Sequence, residues 1–215
     1  MNRNGPGMVD TPADRRRRDR LIRDALQDCP DARVVAAMSV IARHAFVGEG
    51  CRGIAYEDRP IAIGGGATIS QPSLVARMLA HLALQPGQRV LDVGAGSGWA
   101  SALLAHLVGP MGQVVAVERL GDLVAAATPR LAVFPQVTLI HGDGLTAKGG
   151  PFDAIHVACA CPEIPRALAA RLAPGGRLIA PVGPADGAQR LWLKDPSGER
   201  WLEDVLFVPA LAGLG

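Results

Sequence analysis

Two acidic side chains stand where open α/β sheets place ligand-binding groups. Glu118 ends the apolar run Gln113–Glu118, and Asp143 follows the apolar run Val137–His141 between two glycines. A carboxylate after a strand can accept hydrogen bonds from both hydroxyls of a ribose, and a second one can accept from an exocyclic amine such as that of adenine. Glu118 is therefore the candidate ribose ligand and Asp143 the candidate adenine ligand.

A glycine-rich turn precedes both acids in the chain. The run 90–93, which contains Asp92, predicts a buried strand, and glycines follow it at alternate positions: Gly94, Gly96 and Gly98. Glycines permit a sharp turn that brings backbone N–H groups close to a ligand. A dinucleotide fingerprint needs glycine at position 99 as well, but that residue is Trp99, which argues against NAD. The cofactor we expect is S-adenosyl-L-methionine.

Each of these signals is weak alone. A glycine-rich turn is often only a tight turn, an acid after a strand is often a helix N-cap, and Gly-Asp-Gly is a common loop. Their order and regular spacing are more specific, and together they favour an adenosine site. No metal is expected, because the cysteines lack the CxxC pairs of a zinc site: Cys29, Cys51, Cys159 and Cys161.

Length and composition fit one soluble domain. Hydrophobic residues make up 49% of the 215 residues and charged residues 20%, and no apolar stretch approaches the about 20 residues that span a bilayer. The first eight residues lack the apolar core of a secretory signal. We therefore expect a cytoplasmic monomer with free thiols and no membrane partner.

The predicted organisation is a flexible segment at 1–10 and a single domain at 11–215. Within it, 11–88 would form N-terminal helices and a substrate or lid region, and 89–215 the cofactor-binding sheet with a C-terminal hairpin. Residues 14–24 hold six arginines against three aspartates. Without interleaved aromatic residues this run is more typical of a solvated helix face than of a nucleic-acid site, so no nucleic-acid partner is expected.

Periodicity predicts the elements that position the candidate residues. Helices are expected at 12–28 and 32–42, a glycine-rich connection at 48–67, and a helix from Pro72 whose cap is Ser70 or Gln71. From residue 89 strands and helices alternate, which predicts a mostly parallel sheet wrapped by helices. The strands are expected at 89–93, 113–118, 137–141, 153–158 and 177–182, the helices at 99–108, 121–132 and 164–172, and a closing hairpin from 190–194 and 201–208.

The segment Thr68-Ile-Ser-Gln-Pro72, upstream of Leu91-Asp-Val-Gly-Ala-Gly-Ser-Gly98, resembles the hallmark of the protein-L-isoaspartate O-methyltransferase family. The likeness spans about residues 31 to 210 and includes Arg43-His-Ala-Phe-Val47, Ala55-Tyr-Glu-Asp-Arg-Pro60, Phe152-Asp-Ala-Ile-His-Val157 and Pro174-Gly-Gly-Arg-Leu178. It implies a Rossmann-like seven-stranded methyltransferase sheet with helices on both faces and an N-terminal helical extension.

The same resemblance implies an activity. Such enzymes transfer a methyl group from S-adenosylmethionine to the α-carboxylate of L-isoaspartyl residues in damaged proteins and peptides. The ester then closes to a succinimide, whose hydrolysis returns some normal aspartate. Isoaspartyl-containing proteins and peptides are thus the implied partners.

By motif, Ser70 matches the family's active-site serine, and Thr68 stands beside it. The stretch Ala67 to Ser70, with Ile69, matches a loop that approaches cofactor and substrate. The matching cofactor positions are Asp92, Glu118, Asp143 and Gly144, in addition to the glycines of the turn. The chain departs from the family pattern at Ala67, where many bacterial members have glutamine, at Gly65, where a larger residue is usual, and in the C-terminal segment 210–215.

Some side chains admit two interpretations. Ser70 could orient the methyl-accepting carboxylate or cap the helix at Pro72, and both roles can hold at once. His44, His141 and His156 could act in acid–base chemistry, but we interpret them as structural. Cys159 and Cys161 are interpreted as packing residues, because no base accompanies them. The segment 48–67 is expected to form part of a lid that excludes water.

Two other functions compete with repair. An enzyme on the same scaffold could methylate one designated Asp of a biosynthetic peptide, but such relatives usually carry an additional substrate-recruiting sequence. A non-catalytic module that binds an adenosyl ligand or RNA through Arg15–Arg18 is the second alternative. The complete set of site motifs argues against that module.

Overall fold

The computed structural model describes residues 10–146, 148–211 and 213–215. It contains a seven-stranded sheet and a separate two-stranded hairpin. The strands are β1 (Ile61–Gly64), β2 (Ala67–Ile69), β3 (Arg89–Val93), β4 (Gln113–Glu118), β5 (Val137–His141), β6 (Phe152–Val157), β7 (Leu172–Val182), β8 (Gln189–Asp195) and β9 (Gly198–Val205).

The order of strands across the large sheet is β5-β4-β3-β6-β7-β8-β9. Strands β3 to β7 pair in parallel, whereas β8 and β9 are antiparallel to their neighbours. Within the large sheet, the chain enters at β3 and runs outward through β4 and β5. It then returns to β6, which lies on the other side of β3. This change of direction opens a crevice at the carboxyl ends of β3 and β6, where α/β sheets bind ligands.

The helices alternate with these strands as predicted from residue 89 onward. They are α1 (Pro12–Ala25), α2 (Ala32–Val40), α3 (Pro72–Leu82), α4 (Trp99–Val108), α5 (Gly121–Leu131) and α6 (Arg166–Ala169), with 3-10 helices at Arg43–Phe46 and Glu49–Ile54. None of the helices in the described ranges is long and apolar enough to cross a bilayer. The predicted α/β fold class is confirmed.

Several predicted bounds are wrong. Helices α1 and α2 stop three and two residues early. The helix expected at 164–172 is a single turn, because β7 begins at Leu172 and pairs there with Phe152. Strand β9 ends at Val205 because the chain leaves its pairing with Gln189 there. The connection at 48–67 is structured, since it contains a 3-10 helix and strand β1.

Apolar side chains fill both faces of the sheet. Successive residues of a strand point to opposite faces, so Val90 joins one core cluster while Leu91 and Val93 join the other. The first cluster also takes in Leu21 and Val34 of the N-terminal helices. Residues 11–88 thus share their core with the sheet.

Helix α1 begins at Pro12, as predicted, and Thr11 is its N-cap. The Thr11 hydroxyl accepts the Asp14 N–H at 3.2 Å, and the Asp14 carboxylate accepts the Thr11 N–H at 3.1 Å, which forms a capping box. The predicted solvation of the arginine run is wrong for Arg18, which is only 8% exposed. Its guanidinium donates to the Asp10 carboxylate at 2.9 Å and to the Tyr56 hydroxyl at 3.3 Å. Apart from Asp10, the segment predicted to be flexible lies outside the described residues.

These contacts belong to a group of polar residues, the N-terminal cluster, made of Asp14, Arg18, His44, Arg52 and Tyr56, of which all but Arg52 are buried. Arg52 donates to Asp14 at 2.5 Å, and the Tyr56 hydroxyl lies 2.8 Å from His44 Nδ1. Burial would raise the pKa of Asp14, but the hydrogen bonds from Arg52 and Thr11 outweigh it and lower that pKa. Burial lowers the pKa of His44 and raises the pKa of Tyr56 to about 12. At neutral pH the cluster therefore combines paired charges with a neutral histidine and a neutral tyrosine.

Candidate active site

A cavity of about 300 Å³ lies in the crevice at the carboxyl ends of the parallel strands; we call it the main cavity. Its walls come from the tip of the β1–β2 hairpin, the glycine-rich turn after β3, the ends of β4 and β5, and the segment after β6. Among the lining residues are Ala67, Thr68, Gly94, Gly96, Glu118, Asp143 and Gly144. The structure thus brings together seven residues predicted from separate sequence motifs.

The glycine-rich turn is tied to the end of β4. Gly94 and Ala95 donate their N–H groups to the Val117 carbonyl at 2.9 and 3.1 Å. Gly96 has φ +55° and its N–H donates to the Glu118 carboxylate at 2.8 Å. An L side chain rarely adopts this φ, so glycine is required for the turn to reach Glu118.

Glu118 is held rigidly at the cavity wall. Its side chain is 5% exposed, and its second oxygen accepts the Leu120 N–H at 2.9 Å. Each carboxylate oxygen has a further lone pair after these bonds. A fixed, ionised acceptor of this kind can bind the two vicinal hydroxyls of a ribose.

Asp143 also lines the cavity, and it is bonded to the C-terminal segment. Its carboxylate accepts the Leu145 N–H at 2.9 Å and the Gly213 N–H at 3.1 Å. Arg119 Nε donates to the Gly213 carbonyl at 3.1 Å, and residues 208–211 line the cavity. The C-terminal segment therefore forms one wall of the main cavity.

Gly144 is required for packing beside Asp143. A Cβ atom on Gly144 would lie 2.5 Å from Val93 Cγ1. The main chain after β5 therefore lies close against the end of β3, which brings Asp143 to the cavity.

Two predicted cofactor residues lie behind the cavity wall. Asp92 has no exposed surface; it accepts the Ser101 hydroxyl at 2.5 Å and lies 2.8 Å from His156 Nδ1. Gly98 has φ +90°, and a Cβ there would lie 3.0 Å from the Leu131 side chain. Both residues therefore support the glycine-rich turn from behind the cavity wall.

The candidate acceptor loop adjoins a second, smaller space. This inner cavity, of about 40 Å³, is lined by Thr68, Ile69, Ser70, the turn 94–97 and His156, among others. It shares Thr68 and the glycine-rich turn with the main cavity. The predicted active-site residues thus lie next to the predicted cofactor residues.

Ser70 does not cap helix α3. The N-cap position is Gln71, whose side chain makes no capping bond, and the N–H of Ser73 donates instead to the Asp58 carboxylate at 2.8 Å. The Ser70 hydroxyl forms no hydrogen bond with other residues in the described ranges. The capping role predicted for Ser70 is therefore wrong, and its hydroxyl is available to a ligand.

Arg43 holds the acceptor loop in place, a role that the sequence did not reveal. Arg43 is 1% exposed. Its guanidinium donates to the carbonyls of Ile69 and Ser70 at 3.3 and 3.1 Å, to that of Ala55 at 2.5 Å and to that of Arg59 at 3.1 Å. It also lies 5.3 Å from the centre of the Trp99 ring. Burial lowers its pKa to about 10, so it stays charged at neutral pH. Carbonyls from three distant segments converge on one cation, and no local pattern reports such an arrangement.

Cys159 lines the main cavity, and Cys161 is buried two residues further along the chain. Burial raises the pKa of both thiols, that of Cys161 to about 11. The thiolate is the nucleophilic form of cysteine. Both side chains are therefore protonated at neutral pH, in keeping with the packing role predicted for them.

An open groove, the outer groove, leads from the acceptor loop to the protein surface. Its lining includes Thr68, Ser70, Leu74, Arg77, Leu206 and Phe207. Leu206 is 77% exposed, and Arg77 is paired with Glu203 at 2.7 Å. The groove therefore presents apolar and charged side chains next to Ser70.

Comparison with known proteins agrees with this geometry. The family model described as protein-L-isoaspartate(D-aspartate) O-methyltransferase matches residues 16–214. The chain is 44% identical to the protein-L-isoaspartate O-methyltransferase of Aeropyrum pernix, with 98% of this chain and 85% of that protein covered. It is 46% identical to the protein of the same name from Methanothrix thermoacetophila, with 93% and 97% covered.

Solved structures give the same result. A Plasmodium falciparum chain described as a beta-aspartate methyltransferase, crystallised with S-adenosyl-L-homocysteine, superposes with a TM-score of 0.80 at 29% identity, covering 92% of this chain and 97% of that one. A protein-L-isoaspartate O-methyltransferase superposes with a TM-score of 0.83 at 26% identity, covering 92% and 67%. The sheet order, the site and the match over residues 16–214 together show that this chain belongs to the protein-L-isoaspartate(D-aspartate) O-methyltransferase family.

Proposed function

We propose that this protein transfers a methyl group from S-adenosyl-L-methionine to the α-carboxylate of L-isoaspartyl residues in damaged proteins and peptides, which starts their repair through a succinimide. One observation carries the proposal: the main cavity and the outer groove meet at Thr68, beside the free hydroxyl of Ser70. A small cofactor in the main cavity and a polypeptide in the outer groove could therefore meet at the same point.

The main cavity fits the adenosyl part of the cofactor. Its volume of about 300 Å³ lies at the lower end of the range of small-molecule sites. Glu118 would bind the ribose hydroxyls and Asp143 the adenine amine, while Val93, Val117 and Leu145 supply apolar walls. When bound, the cofactor supplies a methyl group on a positively charged sulfur. The acceptor oxygen attacks the carbon of that methyl group as the carbon–sulfur bond breaks.

The residues around Ser70 would position the acceptor. An α-carboxylate is already ionised at neutral pH, so its attack requires no general base. Ser70, assisted by Thr68, would donate a hydrogen bond that fixes the direction of the attacking oxygen, and Arg43 would hold the loop that carries both hydroxyls. Orientation of this kind can contribute on the order of 7–11 kcal/mol to lowering a reaction barrier.

The wider setting of the enzyme is also a proposal. We infer that residues 11–215 work as a single domain, supported by the core that the N-terminal helices share with the sheet. Four free thiols support a reducing compartment such as the cytoplasm. The pairing of Arg18 with Asp10 and Tyr56 leaves fewer free cations on α1, which supports an enzyme without a nucleic-acid partner. We propose that this enzyme is a monomer.

The test is mass-resolved methyl transfer to a short isoaspartyl peptide, beside the same peptide with normal Asp. A transient methyl ester on the isoaspartyl form alone is the expected result. Methylation of neither peptide, with S-adenosylhomocysteine demonstrably bound, would overturn general repair. It would favour an enzyme dedicated to one Asp of a biosynthetic peptide, the alternative that the relatives do not favour.

A further inference from the structure

The imidazole of His156 lies directly beneath the inner cavity and is only partly satisfied. The residue is 1% exposed, and its Nδ1 lies 2.8 Å from the Asp92 carboxylate. Asp92 also accepts the Ser101 hydroxyl at 2.5 Å. His156 Nε2 is buried and has no hydrogen-bond partner in the part of the chain that the structure describes. We call Asp92, Ser101 and His156 the sheet cluster.

The partners of Asp92 fix the form of the imidazole. An ionised carboxylate only accepts hydrogen bonds, so the proton that His156 shares with Asp92 is on Nδ1. In the neutral ring Nε2 then carries a lone pair and acts as an acceptor. A buried acceptor without a partner costs free energy, and such groups in native proteins are normally satisfied by a ligand or water.

The position and size of the inner cavity indicate which ligand group could satisfy Nε2. The cavity has His156 among its lining residues and continues from the main cavity along Gly94 and Gly96. If the ribose is at Glu118, the amino-acid part of the cofactor extends over this turn towards Ser70. A space of about 40 Å³ accommodates a small polar head group, not a peptide chain.

We propose that His156 Nε2 accepts a hydrogen bond from the α-ammonium group of the methionine part of the cofactor, with Asp92 and Ser101 fixing the tautomer. The amino-acid part offers an ammonium donor and a carboxylate acceptor, and a lone pair on Nε2 attracts only the donor. His156 is thus a cofactor-binding residue, and the sheet cluster explains why Asp92 is buried behind the turn. The inference rests on the proposed function for the identity of the cofactor.

The test compares two ligands that differ only in this part. S-adenosylhomocysteine contains the ammonium group, whereas 5′-methylthioadenosine lacks the whole amino-acid end. Their dissociation constants would be measured by calorimetry on the wild type and on His156→Asn, whose amide can still donate to Asp92 but has no atom at the place of Nε2. We expect S-adenosylhomocysteine to bind about tenfold or more weakly to the variant and 5′-methylthioadenosine to bind equally, since hydrogen bonds to charged groups have this strength.

Two further variants make the result decisive. His156→Gln reaches to the place of Nε2 with an amide oxygen and should recover part of the lost affinity. His44→Asn makes the same change in the N-terminal cluster and should leave both dissociation constants unchanged. If His156→Asn does not fold, the comparison is made with His156→Gln alone, for which a ligand-selective loss smaller than tenfold is expected and no selective change would overturn the proposal.

Three results would overturn the inference. Unchanged affinity for S-adenosylhomocysteine would mean that Nε2 has no cofactor partner, and equal loss for both ligands would indicate a merely structural role. A raised KM for the isoaspartyl peptide with unchanged S-adenosylhomocysteine affinity would assign Nε2 to the methyl acceptor instead. Failure of the proposed function is distinct from all three, because the wild type would then bind S-adenosylhomocysteine but methylate neither peptide.

Discussion

The molecule contains two buried histidines that are each bonded to a polar side chain, one in the N-terminal cluster and one in the sheet cluster. His44 and His156 are 0% and 1% exposed, each is bonded through Nδ1, and each has an Nε2 without a partner among the described residues. Their surroundings differ. His44 lies among paired arginines and aspartates, whereas His156 lines a cavity next to the glycine-rich turn.

The bonding partners give the two rings opposite tautomers. Arg18 donates to the Tyr56 oxygen, so the Tyr56 hydroxyl proton is free to be donated to His44 Nδ1, which leaves the proton of His44 on Nε2. His156 donates from Nδ1 to Asp92 and keeps a lone pair on Nε2. Similar residue types therefore stabilise the fold in one place and offer an acceptor to a ligand in the other. The two roles differ because the Nε2 atom of His156 borders a cavity, and not because the residue types differ.

The largest effect is expected in the cofactor site, on the affinity for S-adenosylhomocysteine. Glu118→Ala removes the proposed ribose ligand and also frees the N–H groups of Gly96 and Leu120. Loss of two hydrogen bonds to a charged group should weaken S-adenosylhomocysteine binding about 100-fold, or roughly 3 kcal/mol. Calorimetric titration measures this. A change of less than threefold would remove Glu118 from the cofactor site.

The next largest effect is expected in the N-terminal cluster, on the stability of the fold and not on cofactor binding. Asp14→Asn removes the charge that pairs with Arg52 and should lower the free energy of unfolding by about 2 kcal/mol. The affinity for S-adenosylhomocysteine should not change, because Asp14 lies outside every cavity wall described above. Urea denaturation and calorimetry on the same sample test both statements. Weaker binding at unchanged stability would contradict the separation of roles.

Ser70→Ala should distinguish the acceptor part of the site from the cofactor part. The hydroxyl is proposed to act on the methyl acceptor, so kcat should fall roughly ten- to hundredfold while the dissociation constant of S-adenosylhomocysteine stays the same. Steady-state kinetics with an isoaspartyl peptide measure the first quantity and calorimetry the second. Equal losses in kcat and in cofactor affinity would mean that Ser70 acts through the cofactor or through loop structure.

The smallest effect is a pH dependence of stability. Burial lowers the pKa of His44 from its usual 6.5 in the folded protein, so the unfolded chain binds a proton first and stability falls as the pH drops below about 6.5. The lowered pKa of Asp14 adds a second loss below about pH 4, where the unfolded carboxyl becomes protonated. The free energy of unfolding should be lower at pH 5 than at pH 7, and His44→Asn should reduce the difference. Stability that rises towards pH 5 would contradict the buried neutral state of His44.

The sequence predicted the cofactor side of the molecule more fully than the acceptor side. Apolar runs that end in Asp or Glu and glycines at fixed spacing are local signals, so β3, β4, Glu118 and Asp143 could be predicted from short segments. The helix cap at Asp58 and the four carbonyls on Arg43 depend on segments far apart in the chain. The burial of Arg18 likewise depends on Tyr56, 38 positions away. Charge and length alone could not distinguish that arginine from its solvated neighbours.

The most direct test of the difference between the two clusters is the rise in Tm that saturating S-adenosylhomocysteine produces, measured in the wild type, His44→Asn and His156→Asn. At a fixed ligand concentration, the rise in Tm increases with the logarithm of the ligand's affinity for the folded state. His44→Asn should lower the Tm of the free protein but keep the full ligand-induced rise. His156→Asn should reduce that rise. Equal ligand-induced rises in the two variants would contradict the assignment of one histidine to the fold and the other to the cofactor.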